Sequence, residues 1–216
     1  MENKLSLINF RSLYSHFDSP ISPVDCGKMC SPKNGSGKPF CCDNCQALPV
    51  AYKPEWAYLK SSTDLWHLWQ GDECESEPCD PHELEEQTPE YLLLLVCKGP
   101  AFCEREFRSL SCRQFPFFPY ITANSHFIGF TYDWEFKSKC WVIQHLEQVT
   151  DTYRKEFTQA FDEIFSCWPE DFDSYVELSE ETREHYSSIH RRVPILHRNG
   201  SNYLLSPKSE RQYKLF

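Results

Sequence analysis

The chain reads as an α+β protein, with a small irregular cysteine-rich metal-binding core with short strands, packed against C-terminal helices. Three observations predict this. Twelve cysteines fall among 216 residues, and most of them lie in two blocks broken by glycine and proline. A short apolar run of strand type, residues 91–96, leads into the second block. Beyond residue 141, apolar side chains recur at three- and four-residue spacing, as on the buried face of a helix.

Residues 1–25 form a short mixed segment that turns at Asp18-Ser19-Pro20 and again at Pro23. The first cysteine block, CGKMCSPKNGSGKPFCCDNC at 26–45, holds Gly27, Gly35, Gly37, Pro32 and Pro39, which predict a loop. A loop suits a metal knuckle, because several thiolates must turn toward one place. Residues 54–70 predict two short helical turns, the first opened by Pro54 and the second capped by Ser62 or Thr63. Residues 71–90 carry nine acids and no base, the mark of a solvated surface excursion, so Cys74, Cys79 and His82 inside it are set aside as ligands.

The second block, CKGPAFCEREFRSLSCRQFPFFP, occupies 97–119. Residues 124–136 alternate weakly and read as a strand or hairpin. From 141 to 168 the spacing of Tyr153, Phe157, Ala160, Phe161, Ile164 and Phe165 predicts a helix, capped by Asp151 and ended by Pro169. Cys167 at its end reads as a packed thiol. Residues 170–192 continue as helix, and 195–197 and 203–205 flank Asn199-Gly200 in a hairpin pattern. Two regions result: residues 1–145 as a cysteine-cluster domain, and 146–216 as a helical extension on the same core.

Composition narrows the function. A content of 40% hydrophobic and 15% aromatic residues supports a real core and excludes a disordered chain. The net charge of -10 disfavours phosphate backbones, so no nucleic-acid partner is expected. The charge is uneven: residues 183–216 hold 7 Lys and Arg against 2 acids. That basic tail reads first as docking on the acidic body, and second as a surface for an acidic protein partner. No apolar run approaches membrane-spanning length, and the N-terminal residues show no signal-peptide pattern. A cytoplasmic location is expected, where thiols stay reduced and clustered cysteines serve as metal ligands more often than as disulfides.

Tetrahedral zinc takes four thiolate or imidazole ligands, and most iron–sulfur clusters take four thiolates. Soft sulfur donors favour these occupants over magnesium or calcium. Cys26 and Cys30 have C-x3-C spacing, and Cys97, Cys103 and Cys112 form a looser second set. Cys41 and Cys42 are adjacent. Neighbouring side chains of extended backbone point opposite ways, so this pair suits two metals or two corners of a polynuclear centre. The histidines offer no zinc spacing; His126 and His145 lie near the second block and read as packing residues.

The pattern CGKMC…CC followed by C-x5-C-x8-CRQFPFFP resembles the YkgJ-type cysteine-cluster family, described as a zinc- or iron-chelating domain. The most specific piece is Cys112-Arg113-Gln114-Phe115-Pro116-Phe117, similar to that family's C-R-x-[FY]-P element, and the likeness spans residues 24–145. It implies metal ligation by Cys26, Cys30, Cys41, Cys42, Cys97, Cys103 and Cys112, with Cys140 completing the set, and Zn2+ or an iron–sulfur cluster as cofactor. A ten-residue insert between Cys30 and Cys41 departs from the family's tight knuckle and makes Cys45 a substitute for Cys30. The family's relation to flagellin lysine N-methylases implies a protein-modifying enzyme as the alternative function. No glycine-rich cofactor loop adds independent support for methyl transfer. A metal-free scaffold is the third reading. Arg113, beside Cys112, is expected either to offset thiolate charge or to sit in an ordinary ion pair. The aromatic run 115–120 is expected to wall off the cluster.

Overall fold

The computed structural model describes residues 8–71, 73 and 81–215. Helices and two antiparallel sheets are present, so the α+β class holds. The chain forms two compact units. One holds Asn9–Asp18 and Val24–Phe115; the other holds Ile8, Ser19–Pro23 and residues from Pro116 onward. This division falls between Phe115 and Pro116, whereas the change from cysteine-rich to helical sequence falls at 145.

The first unit opens with α1 (Phe10–His16), whose N-terminus is capped by the Asn9 side chain accepting from the Ser12 N–H at 3.1 Å. Next comes α2 (Cys26–Cys30), begun by the side chain of Asp25, and then 3-10 turns at Ser31–Lys33 and Phe40–Cys42. The block 26–45 is therefore not all loop. Asp25 and Gly27 both look like turn residues in sequence, yet Asp25 acts as a helix cap and Gly27 lets the helix approach Pro39. A Cβ on Gly27 would lie 3.1 Å from the Pro39 ring.

Three strands follow: β1 (Val50–Tyr52), β2 (Trp66–Leu68) and β3 (Leu92–Cys97), with β3 in the centre and antiparallel to both neighbours. Between β1 and β2 runs α3 (Lys53–Ser62), and α4 (Pro81–Gln87) precedes β3. The expected strand at 91–96 is thus β3. The second helical turn expected within 54–70 is instead β2, because Trp66 finds Cys97 as its strand partner and tertiary pairing overrides local helical spacing. A short helix, α5 (Leu110–Gln114), closes the unit behind its Ser109 cap. Phe10, Tyr14, Tyr52 and Leu59 are buried in this unit's core, and Tyr14 meets Tyr58 edge-on at 5.6 Å.

The second unit is a five-stranded meander flanked by helices. It contains β4 (Phe117–Ile121), β5 (Phe127–Tyr132), α6 (Trp141–Gln144), α7 (Asp151–Cys167), α8 (Pro169–Ser188), β6 (Val193–His197), β7 (Asn202–Leu205) and β8 (Gln212–Lys214). The aromatic run after Cys112 is largely β4, and every residue of that strand is buried in this sheet. Phe117 and Phe130 pack on Tyr153 and Phe157 of α7, with Phe130 and Phe157 ring centres 4.3 Å apart. Tyr120, Val193, Ile195 and Leu205 form a separate cluster with Tyr186 of α8.

The helix expected from 141 to 168 is interrupted. Chain direction changes through a 3-10 turn at Leu146–Gln148, and Thr150 rather than Asp151 caps α7, accepting from the Tyr153 N–H at 3.2 Å. The Asn199-Gly200 hairpin forms between β6 and β7, with Gly200 at φ 85°, where a Cβ would be strained. Two of the basic tail's cations are paired within this unit, Arg183 with Glu210 and Arg198 with Asp162. Among the described residues no helix is long and apolar enough to cross a membrane.

Candidate functional site

Four short segments of the first unit turn sulfur toward one cavity of about 400 Å³. Helix α2 supplies Cys26, the 3-10 turn supplies Cys41 and Cys42, the end of β3 supplies Cys97, and the stretch from Gly99 to α5 supplies Cys103 and Cys112. Gly99 reverses the chain after β3 at φ 96°, a left-handed conformation that glycine adopts without strain. Cys112 is fixed by the cap of its helix, where its N–H donates to Ser109 Oγ at 3.3 Å. Among the described residues no histidine lines the cavity.

Cys41 and Cys42 do not alternate as they would in extended backbone. The Cys42 N–H donates to the Pro39 carbonyl in a tight turn, and both thiols line the cavity with their sulfurs 3.9 Å apart. The loop leading to them is closed by Asp43, which accepts from Asn34 Nδ2 at 2.8 Å and Ser36 Oγ at 2.7 Å. Burial works against the Asp43 carboxylate, but those hydrogen bonds outweigh it and hold its pKa low. Asn44 ties this loop to β3, donating to the Cys97 carbonyl at 3.3 Å.

The remaining expected ligands are placed differently. Cys30 is buried and does not line the cavity. Cys140 is buried in the second unit, at the cap position of α6. Cys45 is disulfide-bonded and therefore has no thiolate to offer in this state. Cys74, Cys79 and the His82 side chain lie outside the described residues. Cys167 is half-exposed at the end of α7, beside Ser166. His145 stacks on Trp141 at 4.3 Å and bonds its carbonyl, the packing role expected of it.

Electrostatics make the thiols interdependent. Burial pushes Cys112 up to about 12, with further upward pressure from Cys97 and Cys42. Burial, then Cys30 and Asp25, push Cys26 up to about 11. Burial also raises Cys97. Within the adjacent pair, the hydrogen bond between the sulfurs raises Cys41 and lowers Cys42, with Arg108 helping to lower Cys42. Burial disfavours most of these thiolates, each anionic neighbour adds to the penalty, and Arg108 relieves it only in part. A bound cation is the physical counterweight that would let several ionise together. Among the described residues, however, no three His, Cys, Asp or Glu side chains are gathered closely enough to hold a single ion. Six cysteines line one cavity without such a group among them.

Of the two roles expected of Arg113, the structure shows the ordinary ion pair. Arg113 turns away to carbonyls of the unit's core. Its Nε donates to Arg108 O at 2.9 Å, its Nη groups donate to Phe17 O and Glu106 O, and it pairs with Asp18 at 3.0 Å. Its guanidinium also covers the Tyr14 ring at 4.3 Å. Arg108 takes the pocket position instead, its Nε donating to Cys103 Sγ at 3.1 Å. In sequence only its place four residues before Cys112 marks it.

In the first unit, Glu55 is fully buried and joins three elements. It accepts from the Tyr52 N–H at 3.0 Å, from the Leu110 N–H at 2.6 Å and from the Tyr14 hydroxyl. Burial pushes its carboxyl up to about 7 against the opposing effect of those donors.

No protein-family model matches the chain, and neither the curated proteins nor the solved structures contain a match.

Proposed function

We propose that the first unit is a soft-metal-binding module whose cavity holds a polynuclear zinc centre or an iron–sulfur cluster through Cys26, Cys41, Cys42, Cys97, Cys103 and Cys112. The observation that carries this reading is that all six cysteines, and no histidine, line one cavity. Six cysteines exceed the four ligands that one tetrahedral ion takes. That count favours more than one metal atom over a mononuclear zinc knot. The donor chemistry fits zinc, copper(I) or iron–sulfur and does not fit magnesium or calcium. Bound there, the centre would supply either a structural staple or a one-electron redox couple. The chain's part is to position thiols on four short segments, to keep Cys42 readily ionised through Cys41 and Arg108, and to hold the carrier helix of Cys112 through Glu55.

Protein purified without oxygen tests this directly. The expected result is more than one metal atom per chain by elemental analysis. Acid-labile sulfide with broad visible absorption identifies iron–sulfur, and colourless zinc protein identifies the other form. Folded protein that stays metal-free after anaerobic loading with either metal sinks the reading.

A further inference from the structure

We propose that Arg108 is the charge-balancing residue of the thiolate centre and sets how tightly the centre is held; this deepens the metal-binding reading and rests on it. Among the described residues two cations line the cavity, Lys28 and Arg108. Lys28 is largely exposed and paired with Asp25 at 3.4 Å, so it brings its own counter-charge. Arg108 has no carboxylate partner among the described residues, and the side-chain hydrogen bond it makes is to sulfur, Nε to Cys103 Sγ at 3.1 Å.

The placement has a physical logic. Thiolates outnumber the positive charge of the ions they hold, so such a centre is left with negative charge in partly buried surroundings. A guanidinium in contact with one sulfur and lining the same cavity as the others lowers that charge without occupying a metal position. It also donates to sulfur, drawing electron density away from a ligand. Arg113, one residue from Cys112 in sequence, contributes nothing of this kind, because its donors are taken by backbone carbonyls and Asp18.

The test uses the full chain with Arg108→Gln, Arg108→Lys and Arg113→Gln, loaded anaerobically with Zn2+ and competed with a chelator. All folded forms should bind the same number of ions as wild type. Affinity should fall in the order wild type, Arg108→Lys, Arg108→Gln, with about a tenfold loss in the last, as expected for one charge-assisted hydrogen bond. Lysine keeps the charge and loses the planar fork, so its loss should be smaller. The folded fraction of Arg113→Gln should bind as wild type does. If the centre is iron–sulfur, its midpoint potential should drop in Arg108→Gln, because the more negative reduced state loses its counter-charge.

Unchanged affinity and potential in Arg108→Gln would overturn the role, as would a Lys variant no better than Gln. Should Arg108→Gln not fold, Arg108→Lys decides alone: an affinity equal to wild type overturns the proposal. Wild-type protein that takes no metal overturns the metal reading itself, and that arm is read before any variant. Normal loading with a flat variant series overturns only the assignment to Arg108.

Discussion

The Leu110 N–H donates to Glu55 Oε1 at 2.6 Å, so a buried carboxylate 55 residues away in sequence satisfies the first turn of the helix that carries Cys112. The same carboxylate accepts from Tyr14 and from Tyr52. One ionisable group therefore ties α1, the start of α3 and the start of α5 together, two residues from a pocket thiol.

Glu55 predicts an unusual pH response. Its folded pKa is about 7 against an ordinary 4.5, so the folded state binds this proton more strongly than the unfolded chain does. The stability it contributes is complete below the ordinary value and is lost as pH rises through about 7. Glu55→Gln should remove this slope, so the stability of wild type minus variant should fall between those pH values by an amount on the order of 3 kcal/mol. Denaturant titrations at stepped pH measure it. A difference that stays flat, or rises with pH, contradicts the assignment.

Arg113 predicts a stability effect without a binding effect. It is a nearly buried cation whose removal leaves the Phe17 and Glu106 carbonyls and Asp18 short of a donor. Arg113→Gln should destabilise the protein by about 3 kcal/mol or more. Thermal or chemical denaturation of the metal-free form checks this, and a loss within 0.5 kcal/mol, about that of an ordinary surface substitution, would refute it.

Thiol reactivity should follow the electrostatics. In reduced, metal-free protein near neutral pH, iodoacetamide should modify Cys42 before Cys26 or Cys112, because thiolate is the attacking species and Cys42 alone among these is held low. Metal loading should protect all three. Peptide mapping by mass spectrometry over a time course reads the order, and Cys112 reacting first would be the contrary result.

Single cysteine replacements should divide by location. Cys112→Ser should lose metal and stability together, since that thiol lines the cavity. Cys167→Ser should lose neither, and Cys30→Ala should leave metal stoichiometry intact while lowering stability by about 1 kcal/mol for the lost packing. Retention of full metal content by Cys112→Ser would count against the pocket as the site.

Much of the fold was legible from periodicity. The strand β3, the apolar face of α7 and the Asn199-Gly200 hairpin follow from spacing and turn chemistry that act locally. What local rules could not supply was pairing. Trp66 joins a strand because Cys97 lies opposite it, and β8 forms because β7 offers an edge. In the candidate site, six of the eight cysteines named from the sequence line one cavity, while Cys30 does not and Cys140 lies in the other unit. Their two-block arrangement could not anticipate that Cys30, four residues from Cys26 on one helix, turns inward, or that the chain bends at Pro39 to bring two adjacent thiols to one side. Such details depend on backbone conformation, which nearest-neighbour sequence does not determine.

The brevity of the pocket's supports has a dynamic consequence. Helices α2 and α5 are five residues each, and the turn bearing Cys41 and Cys42 is three, all below the length at which helix holds itself together in water. Their order is borrowed from Asp43, Asn44 and Glu55. Amide protons of 26–45 should therefore exchange with solvent through local opening well before those of β3 or α7, and a bound centre should slow that breathing most where the sulfurs are. The cavity would then act as a clasp on the least cooperative part of its unit, with the sheet as the fixed jaw.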